Sequence, residues 1–354
     1  MSYKIQKEES RRYDALKVVM CIFVLLIHSF SDKHPAEGGG YGFSYACTFV
    51  ISRIICDCAV PVFILISSVL LYAKPIGWWA NVKKKCRSLL VPYLIFDSLW
   101  IVMLLCKHIL VRKLGMQVED DVDLTTWSLF DWLDAYLGLS GNFKPVLTVL
   151  WYLRDLFILN LLAVPVKKLV DLLPIPTLVL ALAIWLLDIP TPGIQAYSLV
   201  FFILGCHMVK FGIHFQDIDR KADRYLLLTA YVILLVADIW LWRENAYVDR
   251  AFILVSVVFW IRCSGRMLRF DKAIRLILPA TFFIYLTHRF VYVIMQMVLE
   301  KLVLRSFIVY VLKPSITLGA LLAVFYLMRK LMPGVLSLMI GGRVGERPSG
   351  RVRR

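Results

Sequence analysis

Apolar residues fall in long runs along the chain, and short charged stretches separate one run from the next. An early example is VVMCIFVLLIH, in which ten apolar residues from Val18 lead into His28. A helix needs about 20 mostly apolar residues to cross a bilayer. Helical spans fit at roughly 14–31, 45–73, 89–111, 149–166, 175–188, 194–211, 225–242, 249–262, 277–299 and 308–328. Only helices and closed barrels satisfy their own backbone polar groups in lipid. Unbroken stretches such as LLVPYLIFDSLWIVMLLC lack the alternation of a barrel strand. The expected fold is therefore all-α, a polytopic integral membrane helical bundle of about ten transmembrane helices.

Two segments depart from the pattern. Within 113–146, the stretch WSLFDWLDAYLGL repeats Trp127, Phe130, Leu133 and Leu137 at helical spacing. That suits a helix lying on the membrane surface or covering the mouth of the bundle. The terminal GGRVGERPSGRVRR has no apolar periodicity and reads as a disordered, lipid-attracted tail. The chain divides into a membrane domain over 1–330 and a basic cytoplasmic tail over 331–354. No internal repeat of the kind found in many transporters is visible.

Composition agrees with a membrane protein. Of 354 residues, 60% are hydrophobic, and the mean hydropathy is +0.73. A net charge of +16 invites a nucleic-acid partner, but the cations cluster in alternate loops. They include Lys83, Lys84, Lys85 and Arg87, then Arg220, Lys221 and Arg224, then Arg329 and Lys330. Such loops stay on the cytoplasmic side, which puts both termini there and makes lipid the partner of the charge. The multi-pass protein belongs in the cell membrane. The first run begins at Lys17 and is followed by no small-x-small cleavage site, so it reads as a retained span. Eight cysteines show no metal-ligand spacing and read as small packing residues, and no metal is expected.

Ionisable groups inside apolar spans are costly and tend to face a cavity or one another. Here they include Lys17, His28, Arg53, Asp57, Asp97, Arg154, Asp155, Asp238, His288 and Arg289. Eleven residues separate Lys17 from His28, almost three turns, so the two share a face about 16 Å apart along the axis. Such a face could show a cation to an anion from the cytosol and a base to something further out. A snorkelling Lys17 and a His28 bonded to a neighbouring helix would fit the spacing equally well. Arg53 and Asp57, four apart, are spaced to pair on one helical face. Arg154 and Asp155 point about 100° apart, so at least one faces the interior. His288, in FFIYLTHRF, lies at a depth comparable to that of His28.

Five motifs in order, from residue 11 to about 292, resemble the membrane acyltransferase family 3, which includes O-acetyltransferases of bacterial surface polysaccharides. YDALKVVMCIFVLLIHS is similar to that family's opening arginine–ten residues–histidine pattern. VPVFILISSVLLY, VKKKCRSLLVPYL, LWYLRDLFILNLL and FFIYLTHRFV resemble its later signatures. Lys17 stands where arginine is usual, Ser68 replaces the usual glycine, and Lys85 stands where the loop's first arginine is common.

The resemblance implies an O-acyltransferase, most simply an O-acetyltransferase. It would move an acyl group from cytosolic acetyl-coenzyme A, or another acyl-coenzyme A, to a hydroxyl of a polysaccharide or lipid-linked sugar at the outer face. It further implies His28 as the catalytic residue, Lys17, Lys85 and Arg87 as ligands of the donor's phosphates, and Arg154, Asp155 and His288 as contacts of the acceptor. Two rival readings follow from the residues alone. One is a transporter or flippase with a buried proton relay, and the other is a non-catalytic membrane component of glycan synthesis.

Overall fold

The computed structural model describes residues 3–30, 42–75, 77–113, 126–138, 144–191, 193–301 and 307–343. Every regular element among them is helical. Helix α1 (Lys7–Ser29) runs through the middle of the molecule. Helix α2 (Phe43–Phe49) continues through a π-turn at Val50–Ile54 and a 3-10 turn at Ile55–Cys58 into α3 (Ala59–Tyr72). A basic helix α4 (Trp78–Lys85) passes through a second π-turn, Cys86–Leu90, into α5 (Val91–Lys113). The surface helix α6 (Leu129–Leu137) follows, then α7 (Trp151–Leu161), α8 (Ala163–Leu172), α9 (Pro174–Leu186) and α10 (Ala196–Phe211). The chain ends with α11 (Phe215–Lys221), α12 (Arg224–Trp240), α13 (Ala246–Met267), α14 (Asp271–Ile277), α15 (Thr281–Lys301), α16 (Phe307–Leu331) and α17 (Pro333–Met339).

By length and composition, four stretches can each cross a membrane: Phe43–Tyr72, Trp78–Leu110, Ala246–Met295 and Phe307–Leu331. The number rises to six if two bent pairs each count as one span, α7 with α8 (61°) and α10 with α11 (86°). Each of the ten apolar runs coincides with a helix, but several are too short, or too charged, to pass as spans on their own. Helix α1 carries Lys7, Glu8, Glu9, Arg11, Arg12 and Asp14 in its first turns, and α9 is a short apolar helix.

The charged start of α1 is folded in. Arg12 is only 1% exposed and makes a two-pronged bond to Asp219, at 2.7 and 3.1 Å, with further bonds to the Ser264 hydroxyl and the Ile261 carbonyl. Glu9 is fully buried and accepts from the Tyr3 hydroxyl, the Phe215 amide and, at 2.7 Å, His214 Nδ1. A guanidinium buried with a bidentate carboxylate fixes orientation as well as energy. These contacts tie the basic ends of α1, α11 and α13 together, and they set the depth at which the rest of α1 sits.

Three further expectations meet the structure here. Helix α6 forms as anticipated, with Ser128 and Asp131 closing its first turn as a capping box and Leu129, Phe130, Leu133 and Leu137 exposed. Asp57 bonds Arg243 Nη2 at 3.0 Å, and the same guanidinium holds Asp249 at 2.8 Å. The i,i+4 rule assumes α geometry, and the π-turn and 3-10 turn through Val50–Cys58 break that register. Residues 331–343, assigned to the basic cytoplasmic tail, pack against the bundle. Leu336 and Ile340 lie in a core cluster with Phe283, Leu321 and Phe325. Residues 344–354 lie outside the described residues.

Candidate functional site

Helices α1 and α15 run side by side in the same direction, with the Cys21 thiol over the Thr281 carbonyl. Seven residues further along each helix, the rings of His28 and His288 meet, their centroids 5.1 Å apart and tilted by 38°. Apolar runs place both helices in the interior, and equal spacing from a shared contact brings the two imidazoles to one level.

The walls of the site are fixed by hydroxyls. The Tyr292 hydroxyl donates to the Leu25 carbonyl at 2.7 Å, the Ser52 hydroxyl to the Leu26 carbonyl at 2.8 Å, and the Ser29 hydroxyl to the Tyr310 carbonyl at 2.9 Å. Ser52 also bonds the Tyr310 hydroxyl at 2.7 Å. These bonds tie the end of α1 that carries His28 to α15, to α16 and to the π-turn at Val50–Ile54.

His288 is fully buried. Its Nδ1 lies 2.8 Å from the Tyr285 carbonyl and 3.1 Å from the Ile284 carbonyl. Carbonyls only accept, so Nδ1 carries the hydrogen, and in the neutral ring Nε2 presents a lone pair. That Nε2 is buried and has no hydrogen-bond partner among the described residues. His28 is half-buried and is the more accessible ring of the pair. Besides His288, the charges whose fields reach it belong to Arg289, Arg53 and Lys144. The pair can therefore offer one partly accessible imidazole for proton exchange, backed by a second with a fixed tautomer and an open acceptor.

From His288 a line of rings runs toward the basic side of the molecule. Tyr285 is 6.4 Å from His288, and Phe282 and Tyr152 lie 6.2 and 5.6 Å from Tyr285. Trp151 lies 6.4 Å from Tyr152, and Tyr197 lies 5.8 Å from Trp151.

The residues expected to hold donor and acceptor make contacts of their own. Lys17 is 30% exposed and 3.5 Å from Asp14, one turn back on its own helix. Lys85 is half-buried at the end of α4, and Arg87 is exposed on the adjoining π-turn. Arg154 and Asp155 bond each other at 3.2 Å. Arg154 also donates to the Leu137 and Gly138 carbonyls, and Asp155 accepts from the Gln195 amide and the Ser198 hydroxyl. The two therefore anchor α6 and the start of α10. Asp97, which drew notice as a buried charge, accepts from the Leu147 amide at 2.9 Å. Sequence reasoning passed over Ser52, Tyr285, Tyr292, Tyr310 and Lys144. Only Tyr285 and Tyr292 left a signal, as aromatic residues three before and four after His288 along α15.

The structure is that of a helical membrane protein with a histidine pair inside the bundle. Residues 11–329 match the acyltransferase family 3 model, described as an acyltransferase domain. The chain belongs to that family and is a membrane acyltransferase. It is similar to the succinoglycan biosynthesis protein ExoH of Rhizobium meliloti (strain 1021), with 23% identity over 354 residues covering 96% of this chain and 94% of the relative. No solved structure matches it.

Proposed function

We propose that the protein is an integral-membrane O-acyltransferase of the cell membrane. It moves an acyl group, acetyl in the simplest case, from cytosolic acyl-coenzyme A to a hydroxyl of a polysaccharide or lipid-linked sugar at the outer face. The observation that carries this reading is the contact between His28 and His288, with the tautomer of His288 set by two carbonyls. Family membership supplies the reaction class. The printed name of the relative, a succinoglycan biosynthesis protein, favours a glycan acceptor.

A free hydroxyl is a poor nucleophile, and an imidazole is the side chain suited to take its proton near neutral pH. In this mechanism a nitrogen of His28 accepts that proton while the sugar oxygen bonds to the thioester carbonyl carbon. The carbon–sulfur bond breaks, and the departing thiolate takes the proton back as the free thiol. His288 holds the His28 ring from behind. Its open Nε2 gives the proton a second resting place, or accepts a hydrogen bond from the entering hydroxyl. Lys85 and Arg87, on the basic segment, would hold the donor's phosphates, with Lys17 further along α1. Arg154 and Asp155 would shape the acceptor side indirectly, through α6 and α10. The same His28 nitrogen could instead carry the acyl group between two half-reactions. Mass measurement of the protein incubated with donor alone separates the two routes.

The test is acyl transfer by His28→Ala protein that inserts and folds. General base catalysis contributes about 10²–10⁴-fold, so the rate should fall by that order. His288→Asn keeps a donor near the Nδ1 position but removes the Nε2 lone pair, and it should lose activity while donor binding survives. Transfer at the wild-type rate by the His28 variant refutes the mechanism.

A further inference from the structure

The chain just beyond α17 brings a cation against the bundle. After Ile340 the chain turns through Gly341 and Gly342, at φ +65° and +87°, which glycine adopts without strain. The turn fits closely against the basic segment. A Cβ on Gly341 would lie 2.6 Å from Ser88 Cα and 2.9 Å from the Arg87 carbonyl oxygen. Arg343 follows, half-buried, with Nη1 donating to the Ile340 carbonyl at 2.9 Å. Its guanidinium carbon sits 3.7 Å over the ring of Phe282, and its charge also reaches Tyr152.

Phe282 begins the line of rings that leads through Tyr285 to His288. It precedes His288 by six residues on α15, about 9 Å along the axis at 1.5 Å per residue. Arg343 therefore stands between the segment bearing Lys85 and Arg87 and the histidine pair. A thioester donor whose phosphates rest on the basic segment and whose acyl carbon reaches His28 must lay the chain joining them past this point. In coenzyme A that chain is pantetheine, and its polar groups include two amide carbonyls that need donors when they leave water. A guanidinium with several N–H groups, braced on an aromatic face, can supply them.

We propose that Arg343 is a donor-binding residue that donates hydrogen bonds to the amide carbonyls of the pantetheine arm. The proposal rests on the acyltransferase reading above. Arg343 acts on the arm and Lys85 and Arg87 on the phosphates, so a donor cut back to S-acetyl-pantetheine keeps the first contact and loses the second.

The test measures KM and kcat for acetyl-coenzyme A and for S-acetyl-pantetheine. A hydrogen bond from a charged group corresponds to a factor of about 10 or more. Arg343→Gln should raise KM for both donors by about that factor and leave kcat unchanged. Lys85→Gln with Arg87→Gln should raise KM for acetyl-coenzyme A alone. Arg343→Lys keeps the charge without the fork and should give a smaller rise for both donors. It also serves as the test if the glutamine variant fails to fold. A merely structural Arg343 would lower thermal stability and leave both KM values unchanged, which overturns the proposal, as does a rise confined to acetyl-coenzyme A. If the wild-type protein turns over neither thioester, the acetyl-donor part of that reading fails, before any variant is compared.

Discussion

Helices α3 and α10 cross where Gly205 faces Ser68, and replacing the glycine with alanine should wedge them apart. A Cβ at Gly205 would lie 2.6 Å from Ser68 Cβ, 2.7 Å from its hydroxyl oxygen and 2.9 Å from the Leu65 carbonyl oxygen. Ordinary contact begins at 3.4 Å, so the helices must separate by most of an ångström or distort locally. Leu65, Val69, Phe202 and Cys206 around the crossing are all buried, and nothing flexible lies there to give way. Overpacking of this kind costs about 1–3 kcal/mol, and a close-packed site without slack belongs at the upper end. Ser68→Gly removes the obstructing side chain. It also frees the Phe202 carbonyl, which now accepts from the Ser68 hydroxyl at 2.5 Å, and adds a helical glycine. Its cost alone should be about 1–2 kcal/mol. In the double variant the new methyl occupies the space Ser68 vacated, so the two penalties should sum to less than their separate values by at least about 1 kcal/mol. Equilibrium unfolding of the four proteins in mixed micelles measures this coupling. Penalties that add within about 0.5 kcal/mol, or a Gly205→Ala protein as stable as wild type, would show that the crossing does not depend on this contact.

Two further predictions concern charged groups. Asp155→Ala leaves Arg154, 7% exposed, without its carboxylate and strands the Gln195 amide and the Ser198 hydroxyl. The loss in the same unfolding assay should be about 3–5 kcal/mol, and removing Arg154 as well should restore part of it. At the start of α6, the Ser128 hydroxyl and then its backbone N–H hold the Asp131 carboxyl below its usual 3.8. A depressed value in the folded state means the cap contributes above pH 3.8 and is lost as pH falls through the lowered value. Hydrogen exchange in the first turn of α6, corrected for intrinsic rates, should therefore accelerate below pH 3.8 in the wild type. Asp131→Asn should show no such dependence.

The fold was legible wherever apolar runs are long, because burial in lipid leaves a helix few other choices. What escaped the sequence is how the helices are broken. Periodicity does not distinguish a straight α-helix from one with a π-turn at Val50–Ile54, and that turn redirects Asp57 from Arg53 to Arg243, 186 residues away. Charge near a loop likewise reads as solvated until its partner is known. Arg12 lies among the charged residues at the start of α1, yet it is buried because Asp219 and Ser264 arrive from α11 and α13.

The same logic explains what the sequence revealed of the site. A histidine at the end of a hydrophobic run is visible because it is out of place, so both His28 and His288 stood out, and the structure brings them to 5.1 Å. Their supports could not stand out, since serine and tyrosine are ordinary near the ends of spans, and only their bonds to the Leu25, Leu26 and Tyr310 carbonyls single them out. Arg343 is the opposite case. It was set aside because its neighbours are glycine and charge, the composition of a loose tail. Yet those glycines are what allow the chain to reach the Arg87–Ser88 backbone, since a side chain at Gly341 would collide with it. A glycine pair beside a basic residue thus has two meanings, disorder or close approach. Only the surface it meets decides between them, and here that surface is the basic segment assigned to the donor.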